Sequence, residues 1–428
     1  MPAINRCVGK KIATLLLCVS PLLAMPVPAV AAGEAVKLVL DNKPLAIPAG
    51  DQVAFIKGDR TYVPLRIISE KLGARVEWQE AANRVLITTP DAAAVTSPAN
   101  PDPVPAAVQI LIDGRILQIP AGYGQPYITP AGRTVVPLRA VGEALGCEVN
   151  WLAASNTVDI KSATYKLLAE LAGYRTNLKL LDGKVINSTD LLQMDTSTFS
   201  REQLQQFAKS LVELKKYDQQ VKLPDGTILN MADVTIQGPA VAGAAQLRAW
   251  IEGEKPRLQA KMRQEYNRDL LPIPDLADLY IRIGAEYGIR GDIAFAQAAK
   301  ETFYWQFTGS VQPSQNNYCG LGATGSPNTG QEPLNGTDPT KVQFAPGLHG
   351  ATFASPEVGV EAHIQHLYAY ATNKPLPAGK KLYDPRFNLV QRGSAPTWQG
   401  LNARWAVPGI TYGQSIIADY WLQALAVK

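Results

Sequence analysis

Apolar and polar positions follow one order in the first third of the chain and another beyond it. Residues 63–87 read VPLRIISEKLGARVEWQEAANRVLI, and residues 136–160 read VPLRAVGEALGCEVNWLAASNTVDI. Pro64 pairs with Pro137, Glu70 with Glu143, Trp78 with Trp151 and Asn83 with Asn156, each 73 residues apart, so this stretch repeats without a gap. Upstream, IPAG at 47–50 recurs at 119–122. Each copy predicts a hairpin, a short amphipathic helix stopped by a glycine such as Gly73, and a second hairpin through Asn83 or Asn156. Two copies make a tandem, because a solenoid needs about three or more.

Downstream the period lengthens. Residues 90–107 are dominated by proline and alanine without periodicity and predict a semi-extended linker between repeat 1 (36–89) and repeat 2 (108–161). In residues 162–238, Ser200 with Gln203 reads as a capping box ahead of a helical stripe of Leu204, Phe207, Leu211 and Leu214. Asp225–Gly226 reads as the turn of a hairpin, so this segment is expected to be a small α+β spacer. From residue 239 to 428 helices dominate. Leu276, Leu279, Ile283 and Tyr287 share one face, with Gly288 as the stop. Asp292 reads as the cap of the next helix, which carries Ala294, Ala298 and Glu301. A turn-rich stretch (309–350) then leads to a helix opened by Ser355 and Pro356, and a last helix closes the chain. The expected class is a multidomain α+β protein, two small α+β repeats followed by a mainly α domain.

Composition changes this picture at the start. Arg6, Lys10 and Lys11 precede the apolar run IATLLLCVSPLLAM, and AVAA stands at 29–32, the pattern of a secretory signal over residues 1–31. Without it the charge balance moves from 41 basic against 37 acidic residues to 38 against 37. A nearly neutral chain without a basic run is a poor partner for nucleic acid or an anionic membrane surface. Cys147 and Cys319, the cysteines beyond the leader, lie in distant segments and read as separate buried thiols rather than a disulfide framework.

The candidate chemistry centres on Glu301, the carboxylate that ends an alanine-rich helix and runs directly into Phe303, Tyr304, Trp305 and Phe307. Burial against aromatic rings raises a carboxyl pKa, the condition for a general acid that protonates a glycosidic oxygen. Asn316 and Asn317 offer amides suited to an N-acetyl sugar, or to turn formation. Tyr304, Trp305, Tyr318, Trp398 and Trp405 offer ring faces for a sugar, or for core packing. The three histidines, His349, His363 and His366, cluster within eighteen residues, which raises a metal site. The H-E-x-x-H zinc pattern is absent, and structural or groove-lining roles are the expectation, with no metal or organic cofactor required.

Two resemblances sharpen this. The pattern D…(V)PLR…E.LG..V.W....N.V.I resembles the repeat named for the N-terminal domain of copper amine oxidases, for which a cell-envelope-binding role is usual. Residues 36–161 contain no histidine, so the copper of that name is not expected here. IAFAQAAKETFYWQFTG, QNNYCGLGA, HGATFASPEVGVEAHIQHLYAYA, DPRFNLV, GSAPTWQGLNARWAVPG and TYGQSII resemble the endo-β-N-acetylglucosaminidase family, glycoside hydrolase family 73. That resemblance covers roughly residues 239–428. It implies a lysozyme-like helical fold that cuts the glycan of peptidoglycan. It also implies a catalytic glutamate at Glu301, within Gln297-Ala298-x-x-Glu301, and a supporting tyrosine at Tyr412. Phe303 stands where the family has glycine, which implies a narrower groove. Glu332 and Asp338 are the acids available as a second catalytic group, with Glu332 the first choice. Glu357 is explained by its place in the first turn of a helix. A mechanism in which the substrate's own N-acetyl group serves as nucleophile needs no second carboxylate.

The expected protein is therefore a secreted wall hydrolase, held in the cell wall or outside the cell by repeats that bind an envelope polymer and acting on peptidoglycan glycan strands. The rival readings are a non-catalytic wall-binding protein and a zinc amidase.

Overall fold

The computed structural model describes residues 36–90, 92, 104–323 and 325–427. The expected leader and most of the expected linker lie outside the described residues.

The first copy runs β1 (Lys37–Leu40), β2 (Lys43–Pro44), β3 (Phe55–Lys57), β4 (Arg60–Pro64), α1 (Leu65–Lys71), β5 (Arg75–Gln79) and β6 (Arg84–Thr88). The second repeats that order with β7 (Gln109–Ile112), β8 (Arg115–Ile116), β9 (Tyr127–Ile128), β10 (Thr134–Pro137), α2 (Leu138–Ala144), β11 (Glu148–Leu152) and β12 (Thr157–Lys161). Asn83 and Asn156 turn their hairpins in the left-handed conformation, at φ 44° and 50°, which asparagine tolerates better than most residues.

The copies interleave rather than fold side by side. β12 runs parallel to β1, with Lys37 opposite Thr157, in a sheet ordered β11-β12-β1-β2. Reciprocally, β6 runs parallel to β7, with Arg84 opposite Gln109, in a sheet ordered β5-β6-β7-β8. A third sheet, β3-β4-β10-β9, places Val63 opposite Val136 at its centre. The Asp41 carboxylate accepts from the backbone N–H and hydroxyl of Ser162, and Asp113 accepts from the same two groups of Thr89. Leu38, Val63, Leu65 and Ile68 share one core with Val136, Leu138, Val141 and Val158. Cys147 is buried in this core and Cys319 in the helical region, both as free thiols.

Residues 162–238 carry α3 (Ala163–Gly173), β13 (Asn177–Lys179), β14 (Val185–Asn187), α4 (Arg201–Leu214), β15 (Gln220–Lys222) and β16 (Ile228–Asn230). Ser200 caps α4 by accepting from the Gln203 N–H, but the Gln203 side chain accepts from Leu181 N–H instead of closing the box. The hairpins form a second, shorter repeat: Lys179, Asp182, Gly183, Asn187 and Asp190 recur as Lys222, Asp225, Gly226, Asn230 and Asp233. Asn187 and Asn230 each cap the short turn that follows. The second hairpin is built into the helical region. Val221, Met231, Val234 and Ile236 lie in that region's core, and Ile236 N–H donates to the Pro396 carbonyl.

The helical region comprises α5 (Ala244–Tyr266), α6 (Ala277–Tyr287), α7 (Gly291–Glu301) and α8 (Pro356–Ala371). It closes with Tyr412–Ser415, a π-helical Ile416–Trp421 and Leu422–Ala426. α7 is buried from Gly291 through Ala299, and its alanines admit neighbours on every side. Asp292 does not cap it: Arg290 holds the cap position. The buried Asp292 carboxylate instead accepts from Val241 N–H, Ala242 N–H and Trp421 Nε1–H, tying both ends of the region to α7. Among the described residues no helix is long and apolar enough to cross a membrane.

α8 approaches the asparagine loop as closely as backbone allows. A Cβ on Gly359 would stand 1.9 Å from the Asn316 carbonyl oxygen. Because backbone cannot yield cheaply, Gly359→Ala is expected to cost about 3 kcal/mol and lower Tm by roughly 6–12 °C in calorimetry of the whole chain. An unchanged Tm counts against this packing.

Candidate active site

Glu301 ends α7 and lines a cavity of about 290 Å³ with Phe307, Ser310, Asn317, Cys319 and Trp405. It is the only carboxylate among the described residues lining that cavity. The Glu301 residue is exposed, so the burial against aromatic rings expected from the sequence is not what the structure shows. Protein atoms nonetheless crowd the carboxyl. That desolvation raises its pKa, against downward pulls from the Tyr412 hydroxyl, the Lys300 ammonium and Trp405. The open face limits how far the pKa climbs.

Of the aromatics after Glu301, Phe307 lines its cavity and the first three turn away. Phe303, Tyr304 and Trp305 adopt φ of 48°, 54° and 57°, a left-handed run that costs about 1–2 kcal/mol per residue. Thr302 braces the run, since its Oγ1 donates to the Ala298 carbonyl and accepts from Trp305 N–H. Burial of the rings offsets the strain. Trp305 packs on Phe295 at 4.8 Å and is 1% exposed, so it takes the core role and not the sugar-face one. Tyr304 stacks on Tyr420 at 5.4 Å and borders a neighbouring cavity, not the one that holds Glu301. Phe303 borders the same neighbouring cavity, beneath Lys261, so its ring does not narrow the Glu301 groove.

The asparagine loop is scaffold. Asn317 is buried, and its amide donates to the Leu321 and Ala351 carbonyls and accepts from Leu321 N–H. Asn316 donates to the Phe353 carbonyl and accepts from the buried Tyr318 hydroxyl. Asn317 forms part of the groove wall, Asn316 and Tyr318 lie outside the lining, and the amides are spent on backbone groups of the loop and its neighbours and on the Tyr318 hydroxyl. Trp398 is fully buried. Glu332 is exposed and absent from the lining, and its carboxylate braces a turn by accepting from Thr329 and Gly330 N–H, which lowers its pKa. Asp338 binds Thr340, and Glu357 pairs with Arg282. None of these acids joins Glu301.

Two of the expected residues do meet Glu301. The Tyr412 hydroxyl donates to Glu301 Oε1, and Trp405, half-buried, lies parallel to the Tyr412 ring at 6.4 Å. Behind Tyr412 stand two buried polar residues that the sequence did not mark as site residues. Gln297 Nε2 is 2.7 Å from Tyr412 Oη, and Gln297 Oε1 is 3.0 Å from His363 Nε2. The other ring nitrogen of His363 meets the Tyr280 hydroxyl at 2.9 Å. Burial, with His366 nearby, pushes the His363 pKa down to about 3, so the imidazole is neutral. His366 Nδ1 pairs with the buried Asp384 at 2.8 Å. Among the described residues no three His, Cys, Asp or Glu converge as a metal would require.

Residues 277–419 match the family model described as mannosyl-glycoprotein endo-beta-N-acetylglucosaminidase. This glucosaminidase match takes in α6, α7, α8 and Tyr412, hence the whole constellation around Glu301. Residues 39–110 and 111–195 match the model described as copper amine oxidase N-terminal domain, the second match running past β12 into the segment that follows the repeats. An uncharacterized protein of Borreliella burgdorferi is 37% identical over 131 residues, which is 31% of this chain and 53% of that protein. The match thus spans about half of the relative's length. No solved structure matches the chain.

Proposed function

We propose that this chain is a secreted peptidoglycan hydrolase that cleaves β-1,4 bonds at N-acetylglucosamine, with Glu301 as general acid in a lysozyme-like domain. The observation that carries this reading is a groove-lining carboxyl with the hydroxyl of a buried tyrosine hydrogen-bonded behind it, inside the segment that matches the glucosaminidase family. Glu301 donates its proton to the glycosidic oxygen, and Tyr412 then stabilises the carboxylate left behind. Trp405 offers its face to a sugar ring. With one carboxylate in the groove, the substrate's N-acetyl group is the nucleophile best supported, because a second enzyme acid within about 5–10 Å is what the other routes require. Incubation of the whole chain with purified peptidoglycan, followed by assay of new reducing ends and mass analysis of the released muropeptides, tests the reading. Fragments ending in reducing N-acetylglucosamine support it. Free amino groups without reducing ends sink it.

The interleaved repeats serve in this proposal as an envelope-binding unit. A cavity of about 620 Å³ opens across them, lined by Trp151, Tyr123, Asn150, Arg60 and Arg139. Trp151 is 41% exposed, whereas its counterpart Trp78 packs against the core. An open indole among polar groups suits a sugar face. Trp151→Ala is expected to weaken sedimentation with cell-wall sacculi by about tenfold, and the Trp78→Ala variant, if folded, is the control. Equal retention of wild type and Trp151→Ala removes this site.

A further inference from the structure

The polar contacts behind Tyr412 have a direction that follows from Glu301. The Tyr412 O–H donates to Glu301 Oε1, which accepts both in the carboxylate and in the acid protonated at Oε2. Tyr412 Oη must then accept from Gln297, which places Nε2 toward Tyr412 and Oε1 toward His363. His363 must donate from Nε2, and its Nδ1 is left to accept from the Tyr280 hydroxyl. Tyr280, His363 and Gln297 are each at most 0% exposed, and every polar atom in the run has one partner it can satisfy in only one sense. Donors that all point one way polarise one another.

We infer that Gln297 and His363 are positioning residues that lock the Tyr412 hydroxyl as a one-way donor to Glu301 and leave Oε2 to carry the transferable proton. The inference rests on Glu301 as the acid of the proposed reaction. Neither Gln297 nor His363 lines the groove, and both reach Glu301 through Tyr412; the His363 ring also packs on the groove-lining Trp405 at 5.8 Å, an aromatic contact that His363→Phe retains. Without His363 as donor, the Gln297 amide is free to turn its oxygen toward Tyr412, whose hydroxyl then divides its time between Gln297 and Glu301. The groups facing Glu301 are Lys300 from its own helix, Cys319 from the loop, Trp405, Tyr412, and Tyr420 from the closing helical segment. Lys300 is held by Ser415 at 2.9 Å, independently of the Tyr280–Gln297 run.

The test reads the Glu301 carboxyl directly. The whole chain is labelled with glutamate carrying 13C at the side-chain carboxyl, and the Glu301 resonance is assigned as the one lost in Glu301→Gln. In the wild type it titrates above the ordinary carboxylate range. Tyr412→Phe removes a hydrogen bond that favours the anion and moves the titration to higher pH. His363→Phe is expected to move it in the same direction by a comparable amount, and His363→Gln, which restores an N–H toward Gln297, to return it toward the wild type. In the double variant the His363→Phe effect vanishes, since residues acting through one group are not additive. Where turnover is measured, His363→Phe lowers kcat about tenfold with KM unchanged, the size of one hydrogen bond to a charged group. Tyr280→Phe deletes a single oxygen and serves where His363→Phe does not fold. It is expected to shift the titration upward by less. An unmoved Glu301 titration in a folded His363→Phe or Tyr280→Phe chain overturns the inference. A wild type that releases no reducing ends strikes the proposed function alone, because the titration needs no turnover.

Discussion

Glu301→Gln is expected to abolish the release of new reducing ends from purified peptidoglycan, a fall of about 10²–10⁴-fold, while binding to the polymer stays intact. The reasoning is local. Glutamine keeps an oxygen in place to accept from Tyr412, so the contact between α7 and the closing helical segment is kept. It has no proton to give at any accessible pH. The wild type should lose kcat/KM as pH rises through the Glu301 pKa, because the protonated form is the active one. Desolvation raises that pKa, so this basic limb falls above the ordinary carboxylate range. Tyr412→Phe removes a contact that lowers the same pKa and is expected to push the limb higher still while reducing kcat. Retention of most activity by Glu301→Gln, or a basic limb unmoved by Tyr412→Phe, would remove Glu301 as the acid.

Much of this arrangement was legible from residue order because local rules govern it. The helix ending at Glu301, the left-handed stop at Gly288 and the Ser355–Pro356 cap depend on neighbours in sequence, and each stands where the pattern puts it. The resemblance named Tyr412 as a supporting residue without placing it against Glu301. What stayed hidden depends on contacts between distant segments. His363 and Gln297 are 66 residues apart and meet because α7 and α8 pack face to face. From sequence, His363 offered a structural, groove-lining or metal role, and none of these names its partner Gln297. The aromatics after Glu301 misled for another reason. Left-handed backbone normally selects glycine or asparagine, so nothing at Phe303, Tyr304 or Trp305 announced a turn that carries them away from the groove. Asn316 and Asn317 looked free because an amide's partners, here carbonyls of residues 321, 351 and 353, cannot be read from its own neighbourhood. The interleaving of the two copies was equally silent. Their strands carry the same alternation, so pairing within a copy and pairing between copies satisfy the pattern alike.

That ambiguity has a physical consequence: residues 108–161 expressed alone should not fold as a monomer. Within the fragment, β12 keeps β11 but loses β1, β7 loses β6, and β10 loses β4. The loss opens the edges of all three sheets together. It also strips Leu38, Val63, Leu65, Ile68, Val85 and Ile87 from the shared core. Each buried aliphatic side chain contributes about 1.5–3 kcal/mol, which exceeds what a chain of such length holds in reserve. A segment this short buries too little surface to stand alone. One escape remains open to it. The two copies are near-repeats, so a second fragment can supply the missing strands, and structure should return with rising concentration as a dimer. Residues 36–89 added in trans should do the same at lower concentration, since they carry the native partners. In the whole chain, cutting at a protease site introduced between residues 93 and 103 should leave the two halves eluting together, because the pairing across them is non-covalent. Far-ultraviolet circular dichroism and amide-proton dispersion, read against sedimentation equilibrium, decide the matter. A well-dispersed monomer of residues 108–161 would show that each copy carries its own fold and that the strand exchange adds nothing to stability.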